Sequence, residues 1–264
     1  MVRKISKGKF KLQIFQDLDC ASSKAADMFL NLSEQYIEHK RRFAVALSGG
    51  STPRRLYEIL GSQPFNDTDD WSNIHFFWAD ERCVPPEHED SNYRLAFETF
   101  LSKLPLHDRH IHRIKGEREP DRAAEEYEND LRSFFDDTFL PGFGLIFLGI
   151  GKDGHTASLL PESQVLKEKN HLVAYVKNKK KGYPRITLTL PVINNAENII
   201  FLVSGKGKAP AVKRVIEERD PSLPASLVDP VKGNLFFLLD KGAGYLLTEE
   251  CSEIPVGGLR KDLR

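Results

Sequence analysis

Three short apolar runs constrain this chain more than anything else in it: Phe43–Leu47 (FAVAL), Ile74–Ala79 (IHFFWA) and Gly144–Gly149 (GLIFLG). Near-continuous runs of this length suit strands buried on both faces, which in soluble proteins belong to parallel sheets covered by helices. Amphipathic segments of helix length lie between them. Lys11–Phe15 reads as a further strand leading into a helix over Ser22–Lys40, where Ala25, Met28, Phe29, Leu32 and Tyr36 recur at helical spacing. Other helices are expected after the first run as far as Leu60, from Ser91 or Asn92, over Asp121–Phe135 and between Pro210 and Arg219. Ile186–Leu190, Ile199–Val203 and Leu235–Leu239 supply more strands. The pattern predicts an α/β fold with a mainly parallel sheet and helices on both faces. No internal repeat or low-complexity linker breaks the alternation, so residues 1–264 are expected to form a single domain.

Composition narrows the function classes. Lysine plus arginine and aspartate plus glutamate number 38 each, a balance that argues against a general coat for nucleic acid. No apolar run approaches the roughly 18 residues of a membrane span. Residues Met1 to Gln16 lack the apolar block of a secretory signal. The three cysteines, Cys20, Cys83 and Cys251, are too dispersed for a disulfide framework or a zinc site, which suggests a reducing, cytoplasmic compartment.

In open α/β sheets ligands bind beyond the carboxyl ends of the strands, and the informative loops of this chain follow its strands. The first is Ser48-Gly49-Gly50-Ser51-Thr52-Pro53. Paired glycines let a backbone approach an anion, while Thr52 and Pro53 suit a helix N-cap and first turn. Free amides at such a terminus make a phosphate site. The second is Asp80-Glu81-Arg82, where Arg82 could hold an anionic oxygen and Asp80 could orient it or act as a base, unless the two only form an ion pair. Asn92, Tyr93 and Arg94 follow within reach of this loop, although Asn92 also suits a cap for the next helix.

The third loop, Gly149-Ile150-Gly151-Lys152-Asp153-Gly154-His155, contains a literal G-x-G-x-x-G. The dinucleotide fingerprint belongs to a first βα unit with an acidic residue about 20 positions on; here the segment is central and carries a histidine where a pyrophosphate needs open backbone. The stronger reading places Asp153 against one nitrogen of His155, leaving the other as a base near neutral pH. A fourth loop, Gly205-Lys206-Gly207-Lys208, offers cations at another helix start, and Arg185 could join them. A G-x-S-x-G elbow, a Walker A loop and HExxH or CxxC metal motifs are missing, so no metal or cofactor is called for.

Taken together, LSGGSTP (Leu47–Pro53), WADER (Trp78–Arg82), SNYR (Ser91–Arg94), LGIGKDGHTASLLP (Leu148–Pro161), RITLTLPVINNA (Arg185–Ala196) and SGKGKA (Ser204–Ala209) resemble the 6-phosphogluconolactonase family, within the wider glucosamine-6-phosphate deaminase/isomerase superfamily. They fall in the family order across about two thirds of the chain. The resemblance implies a modified Rossmann-like fold and hydrolysis of 6-phospho-D-glucono-1,5-lactone, without a nucleotide. It implies that His155 activates water and Asp153 orients it. Arg82, set by Asp80, would stabilise developing negative charge or hold a substrate oxygen. Gly49, Gly50, Ser51 and Thr52, with Lys208 and Arg185, would bind the 6-phosphate.

The deaminases of the superfamily carry Asp-Glu-Tyr where this chain has Asp80-Glu81-Arg82. They also place an acidic residue where it has Leu160, with Glu162 two positions later. Both departures favour the lactonase reading over the deaminase. A non-catalytic sugar-phosphate sensor would have no use for Asp153 and His155 together. The partner expected is therefore the small lactone, with the protein a monomer. The basic stretch Lys177–Lys181, four lysines in five positions, reads as a solvated loop that would speed capture of an anion. The segment from Cys251 to Arg264 reads as a tail.

Overall fold

The computed structural model describes residues 3–7, 10–40, 42–62, 69–177 and 182–248. Residues 178–181 of the basic stretch and the tail from Cys251 lie outside the described residues. Six strands run parallel: β2 (Phe10–Phe15), β3 (Phe43–Leu47), β4 (Ile74–Trp78), β6 (Leu145–Leu148), β9 (Asn198–Val203) and β10 (Asn234–Asp240). Their order across the sheet is β2-β10-β9-β6-β3-β4, and β1 (Arg3–Lys7) adds an antiparallel edge beside β2. The expected parallel α/β sheet is therefore present.

Two adjacent residues of β4 show how it is covered. Phe76 stacks with Phe29 of helix α1 (Leu18–Lys40), ring centres 6.4 Å apart, while Phe77 packs edge-on against Phe134 of helix α4 (Pro120–Phe134) at 5.0 Å. Consecutive strand side chains point to opposite faces, so α1 and α4 cap the two sides of the sheet. On α1 the buried Ala21, Ala25, Ala26, Phe29 and Ser33 trace the helical stripe that meets it. The helix starts four residues before the expected Ser22, because the Asp17 carboxylate accepts the Cys20 N–H at 2.9 Å in a capping bond.

Three expectations are revised. Ile186–Leu190 does not join the main sheet. Arg185–Leu188 is instead β8, the middle strand of a separate antiparallel sheet between β5 (Asp80–Arg82) and β7 (Val173–Val176), and Leu190 opens helix α5 (Leu190–Asn194). Ile186, Thr187 and Leu188 are all buried and only Arg185 is not, so the run carries no alternation that would mark it as part of a second, antiparallel sheet. Helix α2 (Ser51–Leu60) begins before Thr52, with Gly50 at φ 106° in the cap position, a conformation that glycine alone adopts freely. The helix expected between Pro210 and Arg219 is a composite: a single 3₁₀ turn over Lys206–Lys208, α6 (Ala209–Lys213) and a π turn over Arg214–Glu218 that Arg219 ends at φ 48°. Helix α3 (Asn92–Thr99) starts as expected, capped by the Ser91 side chain, which accepts the Arg94 N–H at 3.1 Å.

Candidate active site

The carboxyl ends of β3, β4, β6 and β9 carry the four loops singled out above, and all four converge on one cavity of about 300 Å³. Gly49, Gly50, Ser51, Thr52, Asp80, Arg82, His155, Arg185 and Lys208 line it. Asp153 stands behind His155: its Oδ1 lies 2.5 Å from His155 Nδ1 and 3.3 Å from the His155 backbone nitrogen. The ten residues expected at a site thus come together.

The first loop is held from beneath. Ser48 donates its hydroxyl to the Phe147 carbonyl at 2.7 Å, and Tyr57 donates to the Ser48 carbonyl at 2.5 Å. The first turn of α2 has no side-chain cap, so its amides open toward the cavity that Ser51 and Thr52 line. Such a terminus concentrates positive potential.

Opposite it, β5 and β8 pair so that Arg82 and Arg185 are direct neighbours. Arg82 Nη1 donates to the Asp90 carbonyl at 2.5 Å and to Asn92 Oδ1 at 2.8 Å, whereas its Nε is buried without a protein partner. Asp80 does not hold Arg82, contrary to the sequence expectation. Its Oδ2 accepts the Ser158 hydroxyl at 2.6 Å and lies 3.7 Å from Arg185 Nη1, while its Oδ1 accepts from Asn92 at 3.2 Å.

Asn92 is the link between these groups and does not cap α3, a position that Ser91 takes. Its amide also donates to the Asp80 carbonyl at 2.8 Å, and a Cβ placed on Gly49 would fall 1.6 Å from its Oδ1. Glu81, between Asp80 and Arg82, faces away and anchors the start of α3. It accepts the N–H groups of Arg82, Asn92 and Tyr93 and the Ser91 hydroxyl, at 2.7 to 3.0 Å. Burial pushes its carboxyl up to about 7, against those four bonds that favour the charged form.

The glycines of the third loop serve its turn. Gly151 donates to the His155 carbonyl at 2.8 Å, and Gly154 takes φ 80° with Leu223 packed against it. Burial raises the Asp153 carboxyl, but the charge and hydrogen bonds of His155 outweigh that and hold it below its ordinary value. For Lys208, burial lowers the ammonium below its ordinary value and Asp153 partly opposes this. Among the described residues, three cationic side chains and a single carboxylate, Asp80, line the cavity, a balance suited to an anionic ligand. Among the described residues no group of three or more His, Cys, Asp or Glu could hold a metal ion, and no helix is long and apolar enough to cross a membrane.

Comparison with known proteins places this site in a class. Residues 16–237 match the family described as glucosamine-6-phosphate isomerases/6-phosphogluconolactonase, and the chain belongs to that family. Within it, curated relatives carry the lactonase name. A 6-phosphogluconolactonase from Nostoc sp. is 36% identical over 245 residues, covering 91% of this chain and 99% of that protein. One from Synechocystis sp. is 40% identical over 213 residues, covering 79% and 86%. The structure of 6-phosphogluconolactonase from Trypanosoma brucei superposes with a TM-score of 0.81 at 28% identity, covering 92% of this chain and all of that one.

Proposed function

We propose that the chain hydrolyses 6-phospho-D-glucono-1,5-lactone to 6-phospho-D-gluconate, the lactonase step of the oxidative pentose phosphate pathway. The observation that carries this reading is the His155–Asp153 pair at the rim of a cationic cavity whose floor is the amino end of α2. The substrate phosphate sits on the amides of α2, with Lys208 and Arg185 beside it. Asp153 accepts the Nδ1 proton of His155, which leaves Nε2 as the basic nitrogen. His155 takes a proton from water as the water oxygen attacks the lactone carbonyl. The Arg82 guanidinium, which lines the cavity, donates to the oxyanion that forms. Collapse breaks the ring ester bond, and the imidazolium returns its proton to the leaving oxygen, so that a carboxylic acid and a hydroxyl form and the acid releases its proton to solvent as the carboxylate.

Base and oxyanion contributions of about 10² to 10⁴-fold and 10² to 10³-fold suffice for an ester that water already attacks. The deaminase reaction of the same family requires a carboxylate free to move a carbon-bound proton. The cavity's carboxylate, Asp80, is engaged by Ser158, Asn92 and Arg185, and Glu162 is not among the residues lining it.

The test is the rate of 6-phosphogluconate formation from fresh lactone, corrected for spontaneous hydrolysis, alongside product formation from glucosamine 6-phosphate. Turnover of the lactone and none of the amino sugar is expected. The reverse result would move the chain to the deaminases.

A further inference from the structure

One carboxylate outside the cavity governs a loop inside it. Asp240 is the last residue of β10, and the pairing of Leu239 with Val203 sets it beside Ser204 at the end of β9. It accepts the Ser204 hydroxyl at 2.5 Å, the Gly205 N–H at 3.0 Å from both oxygens and the Ala243 N–H at 2.6 Å. Gly205 adopts φ 97°, and its carbonyl accepts the Lys208 N–H at 2.9 Å, closing the turn that delivers Lys208 to the cavity wall. The segment after Asp240 packs against the same turn. Lys206 Nζ lies 4.3 Å from the Tyr245 ring centre, and a Cβ on Gly242 would come within 3.0 Å of the Lys206 nitrogen. Asp240 itself does not line the cavity.

We propose that Asp240 is a positioning residue for the substrate phosphate: by tying Ser204 and Gly205 to the end of β10, it holds the turn that presents the Lys208 ammonium. The proposal rests on the reading of the cavity as a phosphorylated-lactone site. A lysine on a free turn must be ordered when the anion arrives, at a cost in affinity; charge-assisted bonds to the turn backbone meet that cost during folding. The chemistry at His155 lies on a different loop, so loss of Asp240 weakens binding and spares turnover.

Lactone kinetics and calorimetric titration with inorganic phosphate, on wild type, Asp240→Ala, Asp240→Asn and Ser204→Ala, test this. Asp240→Ala is expected to raise KM and the phosphate Kd about tenfold with kcat within about twofold. Asp240→Asn keeps an oxygen for the Gly205 N–H and can donate to Ser204, so it recovers most of the affinity; Ser204→Ala falls between. Unchanged KM and Kd in Asp240→Ala, or a fall in kcat alone, overturns the proposal. Should Asp240→Ala not fold, wild-type KM and Kd in Ser204→Ala would overturn it equally. A wild-type protein that binds phosphate but hydrolyses no lactone refutes the assigned reaction and not the role of Asp240, provided Ser204→Ala still weakens phosphate binding. A wild type that binds no phosphate refutes the role.

Discussion

Gly151 and the His155–Asp153 pair form one unit, since a Cβ on Gly151 would lie 2.1 Å from His155 Nδ1 and 2.6 Å from Asp153 Oδ1. Any side chain at that position displaces the pair from the cavity rim. At this scale the proposed chemistry makes its sharpest predictions. His155→Ala should lower kcat for the lactone by about 10² to 10⁴-fold, the usual worth of a general base, while leaving phosphate affinity unaltered. Single-turnover measurements that found the wild-type rate in that variant would remove His155 from the mechanism. Arg82→Lys should cost on the order of 10²-fold in kcat, because an ammonium cannot hold both the Asp90 carbonyl and Asn92 Oδ1 and still offer a third donor in a fixed plane. A kcat within a few-fold of wild type would show that the guanidinium plane is dispensable.

The His155–Asp153 relation was legible in the sequence because the two residues are neighbours on one tight turn, where spacing dictates contact. Ser158 and Asn92 were not. Ser158 reaches Asp80 across 78 positions and Asn92 reaches it across 12, so their partners depend on how the loops are assembled.

Among elements, the closest fit is between the loop after β3 and the first turn of α3. Gly49→Ala pushes Asn92 aside and with it Arg82 and Asp80, so activity should fall by on the order of 10²-fold or more from a misplacement of about an ångström or more. The double variant Gly49→Ala/Asn92→Gly, which removes the obstruction, should recover stability without recovering rate. Thermal unfolding and kcat measured together separate the two.

On the opposite face of the sheet, His75 of β4 bonds His112, Nδ1 to Nε2, at 3.1 Å, and His112 reaches Asp130 of α4 at 3.0 Å. Burial, together with His112, His110 and Arg42, pushes the His75 imidazole from 6.5 down to about 4. The unfolded chain therefore binds a proton at this site that the folded chain refuses. Stability is full above 6.5 and declines as pH falls from 6.5 toward about 4. The Tm of wild type should fall through that window, by a few degrees given partial solvent screening. His75→Gln should flatten the fall; an identical slope in the variant would exclude this coupling.

The small antiparallel sheet was the element least visible in the sequence. Its strands are three and four residues long, and β5 finds β8 about a hundred positions away, so neither run length nor local alternation announced the pairing. That pairing nevertheless brings Arg82 and Arg185 side by side.

At the scale of the whole molecule, the equal counts of acidic and basic residues hide a local excess of cations at one cavity. The central parallel strands were readable because burial on both faces leaves no polar register to decode. Their order across the sheet was not, since FAVAL, LIFL and NIIFLV carry the same apolar signal.

That order has a mechanical corollary. The last strand of the described residues, β10, lies between β2 and β9 and pairs with both along its length. A chain ending at Lys232 would lack it, leaving FKLQIF and NIIFLV as unpaired apolar edges. Such a truncation should accumulate in the insoluble fraction on expression, whereas recovery of soluble, folded protein would show that the two halves of the sheet stand alone.

The same arrangement sets an order in time. During synthesis β2 and β9 both emerge before the strand that joins them, and Ser204 and Gly205 wait for the carboxylate that will secure them. On the proposed reading, His155, the two arginines and the glycine loop are therefore all made while the turn bearing Lys208 is still unsecured, and the hold on the phosphate comes last among the parts of the site.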